Sequence, residues 1–111
     1  MKVHSALGPG LLETAYEACL MYELHKRGLR VEAQVCLPVV YDKVRIDAGY
    51  RIDLLVEEAV IVELKTLERV LPVHQDQLLS YLRLSNKRLG LLINFHVPRL
   101  KEGVKRVVNN L

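Results

Sequence analysis

Tryptophan is absent from this chain and phenylalanine occurs once, so the aromatic platform that sugar-binding sites commonly use is poorly supplied. Cysteine is nearly as scarce. Cys19 falls in an expected helix and Cys36 in an expected strand, with no C-x-x-C spacing. That pattern argues against a disulfide scaffold or a zinc site and for a reduced, cytoplasmic protein. No apolar run approaches the ~20 residues of a membrane span, and Met1-Lys2-Val3-His4 leads into Gly8-Pro9-Gly10 rather than a signal-peptide core. Low-complexity segments, internal repeats and linker-like stretches are also missing. His4, His25 and His96 show no metal-ligand spacing, and His74 reads as a surface or capping residue near a helix start.

What is present suits a globular protein. Half of the residues are apolar and about a quarter are charged, enough to bury a core and too apolar for disorder. At 111 residues the chain is expected to form one domain over residues 1–111, being too short for two. The net charge of +3 gains meaning if Glu13, Asp53 and Glu63 gather in one pocket, because the remaining surface is then more basic. Lys87-Arg88 and Lys101 with Lys105-Arg106 are candidates to face a phosphate backbone, although solvated ends of elements explain each cluster more simply.

Gly8-Pro9-Gly10 is a breaker, and Leu11 to Lys26 then runs free of Gly and Pro until Gly28, which predicts a helix. Leu12, Ala15, Cys19 and Tyr22, widened by Leu20 and Leu24, form its expected apolar stripe, with Glu23, Lys26 and Arg27 towards solvent. Leu29 to Val40 and Val44 to Val56 read as strand regions separated by a turn at Tyr41-Asp42-Lys43. Glu57-Glu58-Ala59 connects to Val60–Lys65, whose β-branched start marks a central strand. Pro72 opens a second helix with Leu78, Leu79 and Leu82 on its apolar face, ended by Asn86-Lys87-Arg88. Leu89 to Phe95 is a further buried strand, and Val104 to Val108 reads as an edge strand in preference to a helical turn. The expected order is α-β-β-β-α-β-(β), an α/β fold with a mixed sheet in which the second helix is a crossover.

Asp53 followed by Glu63-Leu64-Lys65 carries the chemistry. Side chains alternate along a strand, so Glu63 and Lys65 share a face while Leu64 turns to the interior. Two carboxylates and an amine suit metal-dependent phosphodiester cleavage. A structural Asp53–Lys65 ion pair is the plainer account, but Glu63 on the same surface makes a purely structural cluster costly.

Gly10-Leu11-Leu12-Glu13-Thr14-Ala15-Tyr16 matches the pattern that names the GxxExxY protein family, and the chain resembles that family, which is placed in the PD-(D/E)XK nuclease superfamily. Gly49-Tyr50-Arg51-Ile52-Asp53, Glu63-Leu64-Lys65 and Gln77-Leu78-Leu79-Ser80-Tyr81 agree, the last resembling the QxxxY element of the RecB-type branch. Ile52 stands where the superfamily's nominal pattern has proline. Members usually carry more residues before the segment matching Lys2 to Leu7, which implies a shortened N-terminal helix and apolar surface for a second subunit or a missing segment to cover.

The resemblance implies a restriction-endonuclease-like core and a Mg²⁺- or Mn²⁺-dependent nuclease acting on DNA, with RNA a second option. Asp53, Glu63 and the Leu64 carbonyl would be the protein ligands, because Mg²⁺ takes hard oxygens and keeps several waters. Glu13 would complete the shell or hold a second ion. Lys65 would orient water or meet the phosphate, while Gln77 and Tyr81, one turn apart, would bind the scissile strand or the carboxylates. Tyr16 reads as core packing with its hydroxyl satisfied. Two rivals stand beside this reading: a non-catalytic nucleic-acid-binding or assembly module that retains the fold, and, more distantly, a carboxylate-pair glycosidase. A homodimer is a further expectation.

Overall fold

The Gly8-Pro9-Gly10 breaker separates a short first helix from the expected one. A computed structural model describes residues 2–110, and in it a short helix α1 (Lys2–Leu7) precedes the Gly-Pro-Gly segment and α2 (Glu13–Lys26) follows it. Leu12 is extended, with φ −71° and ψ 153°, so α2 starts after Leu11 and Leu12 rather than at them. Gly28 ends it as expected. Its φ of +81°, unstrained in glycine, lets the Leu29 N–H reach back to the Leu24 carbonyl at 3.1 Å.

The buried face of α2 differs from the expected stripe. Leu12 and Tyr22 are 76% and 64% exposed, whereas Tyr16 and Leu20 are buried, with Cys19 and Leu24 packed around them. The reason is Phe95, fully buried, whose ring stacks on Tyr16 at 4.2 Å between centroids. Aromatic area outweighs what Leu12 or Tyr22 could bury from the other side. Tyr22 lies outside, with the Lys26 ammonium 6.0 Å from its ring, and Glu23 is half-buried against Lys2 at 3.5 Å. The Tyr16 hydroxyl donates to the Gly8 carbonyl and accepts from the Leu11 N–H, tying the loop before α2 to the core. Tyr16→Phe is therefore expected to cost about 1–3 kcal/mol, read from the denaturant midpoint; an unchanged midpoint would show that these backbone groups need no side chain.

Each of the two long strand regions also breaks in two, at Leu37-Pro38 and before Arg51. The outer pieces, β1 (Val31–Cys36) and β4 (Arg51–Val56), join the main sheet. The inner pieces, β2 (Val39–Tyr41) and β3 (Val44–Ile46), pair only with each other. Pro38 lacks the N–H that a continuous ladder would need. Asp42 and Lys43, at φ 46° and 67°, make a tight hairpin turn with both residues left-handed. The result is a two-stranded ribbon, with Val40, Tyr41 and Val44 exposed, where one turn between sheet strands was expected.

The remaining elements follow the sequence reading. β5 (Val60–Lys65), α3 (Pro72–Ser85), β6 (Leu89–Asn94) and β7 (Val104–Val108) complete a five-stranded sheet of order β1-β4-β5-β6-β7. β5 and β6 are parallel and joined by the crossover α3, while the other neighbours are antiparallel. Asn86, left-handed at φ 57°, closes α3. The edge segment is a strand, and Gly103 before it is obligatory, since a Cβ there would stand 2.1 Å from the Asn94 carbonyl oxygen. Helices cover both faces. Val62, Leu64, Leu54 and Ile93 pack on Tyr16 and Leu20 of α2, and Ile61, Leu55 and Leu92 pack on Leu78, Tyr81 and Leu82 of α3. That double covering explains the unbroken apolar start of β5. The mixed sheet flanked by helices matches the restriction-endonuclease-like core implied by the resemblance. Among the described residues no helix is long and apolar enough to cross a membrane.

Candidate active site

The site begins where one ladder ends. β4 and β5 pair at Val56↔Val60, Leu55↔Ile61 and Leu54↔Val62, and there the pairing stops. One more step would set Asp53 opposite Glu63. Instead, Asp53 Oδ2 accepts the Leu64 N–H at 2.9 Å, so a side chain replaces a ladder hydrogen bond and the strands part around their carboxylates. On its other side β4 pairs with β1 at Ala33↔Leu54 and Val35↔Ile52, passing over Gln34. Gln34 has φ 52°, a left-handed conformation that costs an ordinary residue about 1–2 kcal/mol. Its amide donates to Asp53 Oδ1 at 3.4 Å and to Glu17 Oε2 at 3.0 Å.

Glu63 is buried at 6% exposure, and its Oε1 has no hydrogen-bond partner. Burial, and then the neighbouring Asp53 charge, push its carboxyl from the ordinary 4.5 up to about 9. Without a cation it therefore carries a proton at neutral pH. Leu64, 1% exposed, packs in the α2-side core, which leaves Glu63 and the half-buried Lys65 on the opposite face. No ion pair ties Lys65 to Asp53: among the described residues the ion pairs are Lys2–Glu23 and Arg30–Glu58. The end of β5 is held from β6. Lys65 pairs with Asn94, and the Phe95 N–H reaches the Lys65 carbonyl at 2.9 Å. The buried Asn94 side chain meets both backbone groups of Leu67, at 3.0 and 2.8 Å, fixing the segment that leaves the site.

Helix α2 brings further acids. Glu13, its first residue, has a carboxyl raised by partial burial, opposed by Lys65 and reinforced by Asp53 and Glu17. Glu13 thus stands within electrostatic reach of the strand residues. It does not complete a three-acid set with Asp53 and Glu63, since no group of three His, Cys, Asp or Glu side chains placed to hold a metal occurs among the described residues. Glu17 is a site neighbour that the sequence reading missed. Its carboxyl is raised by burial and by Asp53, against the Gln34 hydrogen bond, and its i+4 spacing from Glu13 was the available signal. Gln34 had none, because its place depends on strand register.

From the other face, α3 contributes Gln77 and Tyr81, whose side chains hydrogen-bond at 3.2 Å. Burial raises the Tyr81 hydroxyl, followed by the charges of Glu63, Tyr50 and Asp53, so it lies within electrostatic reach of the carboxylates. Tyr50, also missed from the sequence, has its ring 5.8 Å from that of Tyr81. His74 caps the helix, its Nδ1 accepting the Leu71 N–H at 2.9 Å. Lys87 and Arg88 precede β6 and so lie at the opposite end of the sheet from Lys65, which pairs with the last residue of β6.

Carboxylates on parted strand ends, a lysine beside them and helices closing from both faces form a polar site in an otherwise apolar sheet. A family model described as the PD-(D/E)XK nuclease superfamily matches residues 1–107. No curated protein and no solved structure matches the chain. Because the match runs through every strand of the sheet and both covering helices, the chain belongs to the PD-(D/E)XK nuclease superfamily.

Proposed function

We propose that this chain is a divalent-metal-dependent nuclease that hydrolyses phosphodiester bonds of DNA, with RNA as the alternative polymer. Within the superfamily, the segment from Gly10 to Tyr16 suggests the GxxExxY family. The observation that carries the reading is the buried, unpartnered Oε1 of Glu63 beside Asp53. Ionising Glu63 in that burial and beside the Asp53 charge is costly unless something compensates, and a cation does so directly. The donors fit Mg²⁺ or Mn²⁺: carboxylate oxygens of Asp53 and Glu63, and the Leu64 carbonyl, which in an extended strand points to the same edge as the N–H that meets Asp53. Two side chains and one carbonyl suffice for an ion that keeps several waters, and Glu13 would reach the site through such a water or border a second ion.

Bound there, the cation would supply the neutralisation and water acidification that attack on an anionic diester requires. The chain's own groups do the rest. Lys65, on the Glu63 face, donates to the attacking water or to a phosphate oxygen whose charge grows in the transition state. Gln77 and Tyr81 present polar groups to the scissile strand, and the buried sheet behind Glu63 excludes bulk water.

The test is cleavage of single- and double-stranded DNA and RNA with Mg²⁺ or Mn²⁺. Lys65→Ala is expected to lower the rate by about 10²–10³-fold while metal binding, followed by calorimetric titration, persists. Cleavage at the parent's rate in both Lys65→Ala and Asp53→Asn would trace it to a contaminant and sink the proposal. The second reading is a nucleic-acid-binding or assembly module that retains the nuclease fold. Metal binding that depends on Asp53 in a chain that never cuts would select it.

A further inference from the structure

A cavity of about 460 Å³ opens between the root of the β2–β3 ribbon and α3 and shares Gln77 and Tyr81 with the candidate site. Val39 and Leu84 give it apolar walls, Tyr50 and Tyr81 aromatic ones, and Gln77 and Arg83 polar groups. The two rings are inclined at 57° and so do not stack on each other. Tyr81 is buried, its hydroxyl accepting from the Gln77 amide and within electrostatic reach of Glu63 and Asp53. Tyr50 is 41% exposed and lines the cavity, open to an occupant. An occupant would therefore have an aromatic surface on one side, the acidic cluster close by and a guanidinium within reach. The volume falls in the range of small-molecule sites, about 300–1,000 Å³.

The geometry points to a subsite for one unpaired nucleobase of the substrate, stacked on Tyr50, with Arg83 meeting the backbone next to it. The identity of the polymer rests on the nuclease reading; the subsite adds which form of it is bound. A base inside a duplex has both faces covered by its neighbours and must leave the stack to enter such a pocket. Single strands, frayed ends and gaps present a free base at no such cost. The substrate is then single-stranded or locally unpaired nucleic acid rather than an intact duplex. The ribbon serves to hold this pocket: it leaves the sheet at Leu37 and returns at Tyr50, whose carbonyl accepts the Leu37 N–H at 3.0 Å.

Fluorescence anisotropy with labelled oligothymidylate and with a hairpin duplex, in Ca²⁺ to suppress cleavage, tests the proposal on the full chain. Tyr50→Ala is expected to weaken single-strand binding about 10-fold and to leave the weaker duplex binding unchanged. Tyr50→Phe and Tyr50→Trp, which keep a ring, should bind like the parent and serve as folding controls. A single abasic nucleotide moved along the oligonucleotide should reproduce the loss at one position in the parent and add nothing there in Tyr50→Ala. Parent-like single-strand binding by Tyr50→Ala, or indifference to every abasic position, overturns the subsite. The two proposals fail separately. Tyr50-dependent binding without cleavage in Mg²⁺ or Mn²⁺ supports the subsite and overturns the nuclease, whereas blunt-duplex cleavage at equal rates in the parent and Tyr50→Ala does the reverse.

Discussion

Asp53→Asn is expected to reduce Mg²⁺-dependent cleavage by about 10³-fold, equivalent to about 4 kcal/mol of lost charge stabilisation, while the fold survives. Asparagine is the informative choice because Asp53 has two duties. Its Oδ2 accepts the Leu64 N–H at 2.9 Å, and alanine would orphan that donor at about 1–3 kcal/mol, so that lost activity could reflect a disturbed strand end. Asparagine keeps an oxygen for Leu64 and removes the charge. Its amide nitrogen would then meet the donating Gln34 side chain, now 3.4 Å away, but Gln34 is exposed and free to turn aside. Cleavage rates, the metal-free denaturation midpoint and the Mg²⁺-induced shift of the melting temperature separate the effects. Cleavage and shift should vanish together while the metal-free midpoint holds. Parent-like cleavage would remove Asp53 from the mechanism.

The metal-free protein should lose stability as the pH rises from about 4.5 towards about 9. Glu63 ionises at 4.5 in its ordinary state and at about 9 in the fold. Between these values the folded chain holds a proton that the unfolded chain has released, so stability falls with rising pH, by at most about 1.4 kcal/mol per pH unit. Below the window both states are protonated and no penalty exists; above it the whole penalty applies. Glu13 and Glu17 are raised as well and act in the same direction, more weakly because they are more open to solvent. Glu63→Gln, neutral at every pH, should flatten most of the slope and stabilise the metal-free protein above neutral pH. Mg²⁺ should flatten it in the parent by favouring the ionised carboxylate and binding only the folded state. Denaturant titrations at several pH values, with chelator or Mg²⁺, provide the check. A metal-free slope that Glu63→Gln leaves intact would mean that another group governs it.

Local rules made much of this legible. Strand alternation put Glu63 and Lys65 on one face and Leu64 in the core, and the i+4 spacing joined Gln77 to Tyr81, because such relations depend only on neighbours along the chain. Pro72 and Asn86 bounded α3 for equally local reasons. Interactions distant in sequence were not legible. Nothing near Tyr16 announces that Phe95 will stack on it, so the expected stripe of α2 held Leu20, Cys19 and Leu24 correctly but also took in Leu12 and Tyr22, which are exposed. The detached ribbon escaped notice because its valines pattern like those of the sheet strands on either side of it.

The sequence by itself determined the superfamily, the order of the main elements and the residues that bear charge at the strand ends. Only the tertiary structure decided that β4 and β5 part after Leu54↔Val62, that Glu63 is buried without a partner, and that Gln34, Glu17 and Tyr50 border the site. Motif spacing counts residues along one chain, whereas desolvation and field at a carboxylate sum over every group folded against it.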